Sequence, residues 1–249
     1  TGAGMSGARI TSETNDPVRR LKPRMLDSDW LVMRGMAREI RRLATELSAP
    51  GAVVIDYGCG NMPYRPLFEA AGCRYLGADF EGTPDLAIAP DGRIDAADAS
   101  ADVVVSFQVL EHVRDLGRYF AEARRVLKPD GKLLLSTHGV WLYHPHPEDH
   151  RRWTRQGLIA DIEAHGFAVS ACEPVAGPLA WTTVLRLTGY SFVLKRIPVV
   201  GPPAAAALAA VMNARAFVED ALTPADITRD NACVYVTLSH PVTPPEQTP

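Results

Sequence analysis

Val53-Val54-Ile55-Asp56-Tyr57-Gly58-Cys59-Gly60 is the stretch from which the fold of this chain follows. Three β-branched apolar residues in a row predict a strand buried on both faces, because a central parallel strand has no wet side to alternate toward. The run meets an acid at Asp56 and breaks at Gly58 and Gly60. Two residues without a Cβ permit turn conformations there and let a ligand come close to the main chain. Pro63 or Pro66 then suits the opening turn of a helix, where a missing N–H costs little. Strand, acid, glycine turn and helix together predict the nucleotide-binding corner of a doubly wound α/β domain.

A dinucleotide fingerprint, G-x-G-x-x-G, would need a third glycine where Pro63 stands. The order here is D-x-G-x-G, with the acid leading. That order resembles motif I of the class I S-adenosylmethionine (SAM)-dependent methyltransferases. A pyrophosphate would be repelled by an acid at the turn, whereas the ammonium and sulfonium of SAM are attracted to one. Its single carboxylate can still sit by a helix N-terminus. A tight turn in another α/β fold and a nicotinamide dehydrogenase are the alternatives for this motif taken alone.

The resemblance runs closely over about residues 50–137 and more loosely over 154–174. It implies a Rossmann-like, seven-stranded sheet with its last strand antiparallel, helices on both faces, and SAM as the cofactor. Arg74–Asp79 reads as the second strand. Asp79 falls about twenty residues past the glycines, where a carboxylate at a strand tip can accept both ribose hydroxyls. Residues 85–89 form a weak third strand. In the family's terms, Asp91 meets the adenine amino group and Gly92 supplies a backbone N–H. The fourth strand, Asp102–Val105, leads into Ser106-Phe107-Gln108-Val109-Leu110-Glu111-His112-Val113, and V-L-E-H-V is the most specific match in the chain. The resemblance puts Phe107 and Gln108 along the methionyl end of SAM. Glu111 and His112 read as a structural hydrogen-bonding pair between helix and loop, with catalysis as the alternative. The SAM-binding set is therefore Asp56, Gly58, Gly60, Asp79, Asp91, Gly92, Phe107 and Gln108.

Outside this core, the expected organisation is an arm, a domain, a loop and an insertion. Residues 1–27 are polar and basic and read as a flexible arm, with 1–4 a cloning remnant; an arm that folds over substrate or an acidic surface is the alternative. The methyltransferase domain occupies 28–249. Ser28 or Asp29 caps a helix in which Trp30, Met33, Met36, Ile40, Leu43 and Leu47 recur at helical spacing. A helix over 116–127 follows the fourth strand, and Lys132–Thr137 is the fifth strand. Thr154 caps a helix closed by Gly166, with strands six and seven at 167–173 and 231–240.

The loop 138–153 leaves the fifth strand at its carboxyl end, the edge where open α/β sheets bind ligands. It carries His138, His144, His146, His150, Glu148 and Asp149, and Pro145 and Pro147 keep it irregular. A general base from His144, His146 or His150, steered by Glu148 or Asp149, is the functional expectation. A lid whose histidines only hydrogen-bond is the bland one. Metal binding is a further option, but the spacing fits no zinc signature and no metal is expected. Arg151, Arg152 and Arg155 could clamp an anionic group on the acceptor.

Residues 175–230 exceed what a strand connection requires. They hold an apolar helical run, a proline-rich break and an alanine-rich helix. This reads as a helical cap with a greasy wall over the acceptor, or else a homodimer interface or a peripheral membrane contact. Neither run is long enough to span a bilayer. Net charge is −3, which disfavours nucleic acid as a partner. The four cysteines lack metal or redox spacing and read as reduced and buried. No leader is read at the start, so a cytoplasmic location, with or without membrane contact, is expected. The sequence reading is thus a SAM-dependent methyltransferase acting on a small-molecule, sugar or lipid-linked glycan acceptor, at oxygen. A non-catalytic scaffold of the same fold, working through 175–230, is its rival.

Overall fold

A computed structural model describes residues 17–145 and 148–242. Seven strands form one sheet in the order β3-β2-β1-β4-β5-β7-β6. They are β1 (Val53–Tyr57), β2 (Arg74–Asp79), β3 (Leu86–Ala87), β4 (Ala101–Phe107), β5 (Leu127–His138), β6 (Phe167–Val175) and β7 (Val234–Pro241). β1 pairs in parallel with β2 and β4, and β4 with β5. β7 enters antiparallel between β5 and β6. The chain order reverses at β1 and β4, so their carboxyl ends open a crevice at the switch point. β6 runs in the sense of β1, and its carboxyl end lies on that same edge.

Each face of the sheet carries its own apolar cluster. On one side, α2 (Trp30–Leu47) presses Met36, Ile40 and Leu43 against Val54, Val103 and Leu134, beside Tyr64 and Phe68. On the other, α4 (Leu116–Val126) and α5 (Arg155–Ala164) cover Ile55, Val104, Leu133 and Leu135 with Phe120, Val126, Leu158 and Ile162. Alternate residues of β1 thus serve opposite cores, as its apolar run requires. α3 (Arg65–Glu69) opens with Pro66 in its first turn, one of the two prolines expected there. Thr154 caps α5 as expected, accepting from the Gly157 N–H at 3.1 Å.

Two expectations fail locally. Residues 17–27, expected as part of a flexible arm, contain helix α1 (Pro17–Leu21), and Arg19 forms ion pairs with Asp27 and Asp29; residues 1–16 lie outside the described residues. Asp29 does not cap α2 through its side chain, because that buried carboxylate is engaged by Arg19.

The insertion folds as α6 (Pro178–Leu194), α7 (Gly201–Leu222) and α8 (Ala225–Asp230). α6 and α7 pack along each other as a hairpin. Its base is fastened by the Gly177 N–H donating to Asp220 at 2.8 Å and by Trp181 donating to the Asn231 carbonyl at 3.0 Å. α7 leans on α2 through Phe217 and Trp30, and Asn213 donates to the Met25 and Asp27 carbonyls.

Candidate active site

The glycine turn after β1 is tied to the tip of β2. Gly58 and Cys59 donate their N–H groups to the Ala78 carbonyl at 2.9 and 3.1 Å, and Gly60 donates to Asp79 at 2.7 Å. Gly58 sits at φ +83° and Gly60 at +49°. The two glycines answer different needs. A Cβ on Gly58 would fall 2.7 Å from Val109, so this glycine admits the loop that follows β4; a Cβ on Gly60 would meet nothing within 4 Å. Open space adjoins Gly60 and not Gly58.

Asp56 lies beneath the turn rather than on its surface. It is buried and accepts from the Tyr75 hydroxyl. Burial pushes its carboxyl up to about 7, against the pull of the Tyr75 hydrogen bond, and the charge of Asp79 adds to the rise. Arg20 of α1 faces Asp56 and Tyr64, a contribution from the N-terminal segment that no motif announced. Asp79 stands at the strand tip, half-buried, also accepting from the Phe80 N–H at 2.7 Å. Further along the edge, Tyr57 donates to the Gly92 carbonyl at 3.1 Å, and Asp91 closes its own turn by accepting from the Arg93 N–H. The end of β1 therefore positions the 91–92 turn directly.

At the end of β4, Phe107 points into the core, its ring 4.6 Å from Tyr64. Its side chain is not available to a ligand. Gln108 adopts φ +57°, a left-handed conformation that a residue with a Cβ resists. The Ser136 carbonyl and hydroxyl hold it there. Backbone strain of this kind concentrates where the chain must present itself to something.

The next turn brings Glu111 to the end of β5. Glu111 has no exposed surface and accepts from Thr137 at 2.8 Å, and its other oxygen lies 2.8 Å from Nδ1 of His138. Burial alone would raise this carboxyl; the charge and hydrogen bond of His138 outweigh it and hold Glu111 down at about 2. The His138 ring stacks on Trp141 at 5.4 Å. His144 stands edge-on to His138 and to His112, at 4.9 and 5.0 Å. Burial and the charge of His138 push His144 down to about 4, so it is neutral near pH 7.

The remaining loop residues fasten the loop. Asp149 pairs with Arg152 at 2.6 Å and accepts from the His144 N–H at 3.0 Å, whereas its carboxylate is 3.7 Å from the His144 ring. Burial opposes ionisation of Asp149, but Arg152 and that backbone donor keep it far below the usual carboxylate range. His150 pairs with Glu148 at 3.0 Å, and Glu148 also binds Arg114. Arg151 donates to the carbonyls of Val113 and Arg114. Arg151 and Arg152, expected with Arg155 as a clamp for an anion, are already engaged within the protein. A shallow cleft of about 260 Å³ remains between Trp141, Tyr143, Asp149, His150, Arg151 and Arg152. His146 lies outside the described residues.

Glu111, His138 and His144 also present ligand atoms within 4.8 Å of one another, a donor set competent for a transition metal. Glu111 Oε1 and His138 Nδ1 lie 2.8 Å apart as an ion pair, yet neither makes a well-aligned hydrogen bond, so that contact alone does not satisfy the donor set. Sequence reading had His144 and passed over His138 as a base, and it left Glu111 on the structural side. The signal available was an acid after β4 and a histidine ending β5, two strands that a doubly wound fold places side by side.

Residues 31–171 match the family model of the methyltransferase domain, Methyltransf_23. A probable S-adenosylmethionine-dependent methyltransferase of Mycolicibacterium smegmatis is 32% identical over 136 residues, covering 48% of this chain and 53% of that protein. A ubiquinone biosynthesis O-methyltransferase of Cereibacter sphaeroides is 29% identical over 136 residues, covering 49% of this chain and 54% of that protein. The chain spans about half the length of these curated relatives. The crystal structure of 1,6-didemethyltoxoflavin-N1-methyltransferase from Burkholderia thailandensis, with 1,6-didemethyltoxoflavin and S-adenosylhomocysteine bound, superposes with a TM-score of 0.51 at 17% identity, over 84% of this chain and 77% of that one. That likeness is one of fold. A domain match over more than half the chain, on a sheet with this strand order, makes the chain a member of the methyltransferase domain family, with S-adenosylmethionine as its cofactor.

Proposed function

We propose that this protein transfers the methyl group of SAM to a hydroxyl of a small-molecule, sugar or lipid-linked glycan acceptor. The observation that carries the reading is the buried Glu111–His138 pair at the carboxyl edge of the sheet. An amine acceptor needs no base, whereas an aliphatic hydroxyl is a poor nucleophile until its proton leaves. A carboxylate holding Nδ1 of an imidazole leaves Nε2 as the proton acceptor and stabilises the imidazolium that forms, as in other acid–histidine pairs.

The cofactor supplies a methyl carbon already activated by the positive sulfur. The crevice suits it: a carboxylate at Asp79, open space at Gly60, and the left-handed Gln108 at its far side. In this proposal Asp79 accepts from the ribose hydroxyls, Asp91 and Gly92 meet the adenine, and Gln108, with the backbone of Phe107, lies along the methionyl end. Asp56, Gly58 and Gly60 shape the turn. His138 takes the acceptor proton, Glu111 positions it, and neutral His144 forms the adjoining wall. Asp149 and His150 keep the loop in place. The O-methyltransferase among the relatives is in keeping with transfer to oxygen.

His138→Gln and Glu111→Gln should each lower turnover by about 10²–10⁴-fold, the usual worth of general-base catalysis, with SAM affinity by calorimetry unchanged. The double variant should be no slower than the worse single one, since the two residues act as one unit. Full turnover in His138→Gln would remove the base. A protein that binds SAM yet adds no label to any component of cell extracts would be the scaffold instead.

A further inference from the structure

The α6–α7 hairpin is a projection whose end the fold does not use. Ala180 and Val184, in the first turns of α6, and Ala216, near the end of α7, belong to the core beside α2. Leu187, Ala205 and Ala209 are buried too, yet they belong to neither core cluster. They are covered by the facing helix of the hairpin, for which the small alanines at i and i+4 leave room. The distal half therefore packs on itself and carries its connection, residues 195–200, away from the body.

That end is apolar and exposed. Phe192, Val193, Ile197, Val199 and Val200 all face outward, Val199 with 87% of its surface exposed. Val199 also sits at φ +65°, a strained conformation for a β-branched residue. Lys195 and Arg196 lie among these apolar residues and are exposed as well. Charge along the segment is one-sided. From Pro174 through Val218 there is no Asp or Glu, while Arg186, Lys195 and Arg196 are basic, in a chain whose net charge is −3; Arg215, further along α7, is paired with Glu219. Apolar side chains rimmed by cations and cleared of acids are complementary to the headgroup boundary of an anionic bilayer. Among the described residues no helix is long and apolar enough to cross a membrane, so the contact is interfacial. The hairpin also springs from the carboxyl end of β6, the sheet edge that carries the crevice.

We infer that the tip of the α6–α7 hairpin, Phe192–Val200, seats in the interface of an anionic lipid membrane. Lys195 and Arg196 supply the attraction to the headgroups, and Phe192, Val193, Ile197, Val199 and Val200 enter the acyl boundary. The inference does not depend on the acceptor or on the base.

Flotation of the whole chain with phosphatidylcholine vesicles containing about 30% phosphatidylglycerol tests it, against vesicles of phosphatidylcholine alone. The protein should float with the anionic vesicles and remain largely unbound with the neutral ones. Each basic residue near an anionic surface is worth about fivefold in binding, so Lys195→Gln with Arg196→Gln should weaken binding by about 25-fold. Val193→Asp with Val199→Asp should abolish it. All four substitutions lie outside the sheet and should leave SAM affinity unchanged, which separates lost docking from lost fold. Absence of flotation with anionic vesicles would overturn the inference. So would equal binding to neutral vesicles, or a stable dimer by light scattering that Val199→Asp dissociates, which would give the tip to a second copy of this chain.

Discussion

The glycine corner and the histidine loop share the carboxyl edge of the sheet, but they are held by different kinds of contact. At the corner the backbone does the work: the N–H groups of Gly58, Cys59 and Gly60 close onto Ala78 and Asp79 at the end of the neighbouring strand. At the loop, side chains from separate segments converge: Glu111 from the turn after β4, Thr137 and His138 from the end of β5, and His144 from the loop itself. The first arrangement demands particular backbone angles, and those demands leave glycines in the sequence. The second demands only that remote residues meet, and any histidine in a loop could have been the one.

Substitutions can break this contrast. Gly58→Ala should be the most damaging at the corner, because a Cβ there meets Val109 at 2.7 Å and must accept φ +83°. Overpacking and a left-handed residue together cost about 2–4 kcal/mol, which urea unfolding would read as a lowered midpoint. A midpoint equal to that of the parent would mean that the β4 loop does not press on this turn. Asp79→Ala should come next. Losing hydrogen bonds to a charged group, at about 1.5–3 kcal/mol, should weaken SAM binding by roughly 10–100-fold while the fold persists. Unaltered calorimetric affinity would take Asp79 out of the cofactor site.

Asp56→Asn should have an effect of opposite sign, and one that depends on pH. The folded carboxyl titrates at about 7, above its ordinary 3.8, so its stabilisation is complete below the lower value and lost as pH rises through the upper one. The amide removes that loss. Its advantage in Tm should therefore grow between about pH 4 and pH 7 and level off above that. A gap that is the same at pH 4 and pH 8 would mean that Asp56 is not titrating in a buried site.

Much of the sheet was legible because its causes are local. The V-V-I run, the acid and the glycines mark β1 and its turn; Thr154 and Gly166 bracket α5; the alternation from Ala232 to Leu238 marks β7. β3 shrinks to two residues, since Leu86 and Ala87 have only β2 to pair with. Asp29 was misread as a cap because Arg19, ten residues away, competes for its carboxylate. In the loop, Asp149 lies 3.7 Å from the His144 ring, as a partner for a histidine should, but its closer contact is with Arg152, three residues on. Choices of this kind, made by charged side chains among several reachable partners, depend on distances that no local pattern records.

By itself the sequence determined the strand order's central corner, the acids that favour a sulfonium cofactor, and the presence of a long apolar insertion low in acids. These follow from residue type and spacing along one segment. Only the tertiary structure decided that Gly58 serves packing, that Glu111 meets His138, and that the insertion folds as a hairpin whose tip is exposed among the described residues. Each of those is a contact, or the lack of one, between segments far apart in the chain, and it exists only once the sheet has brought their ends together.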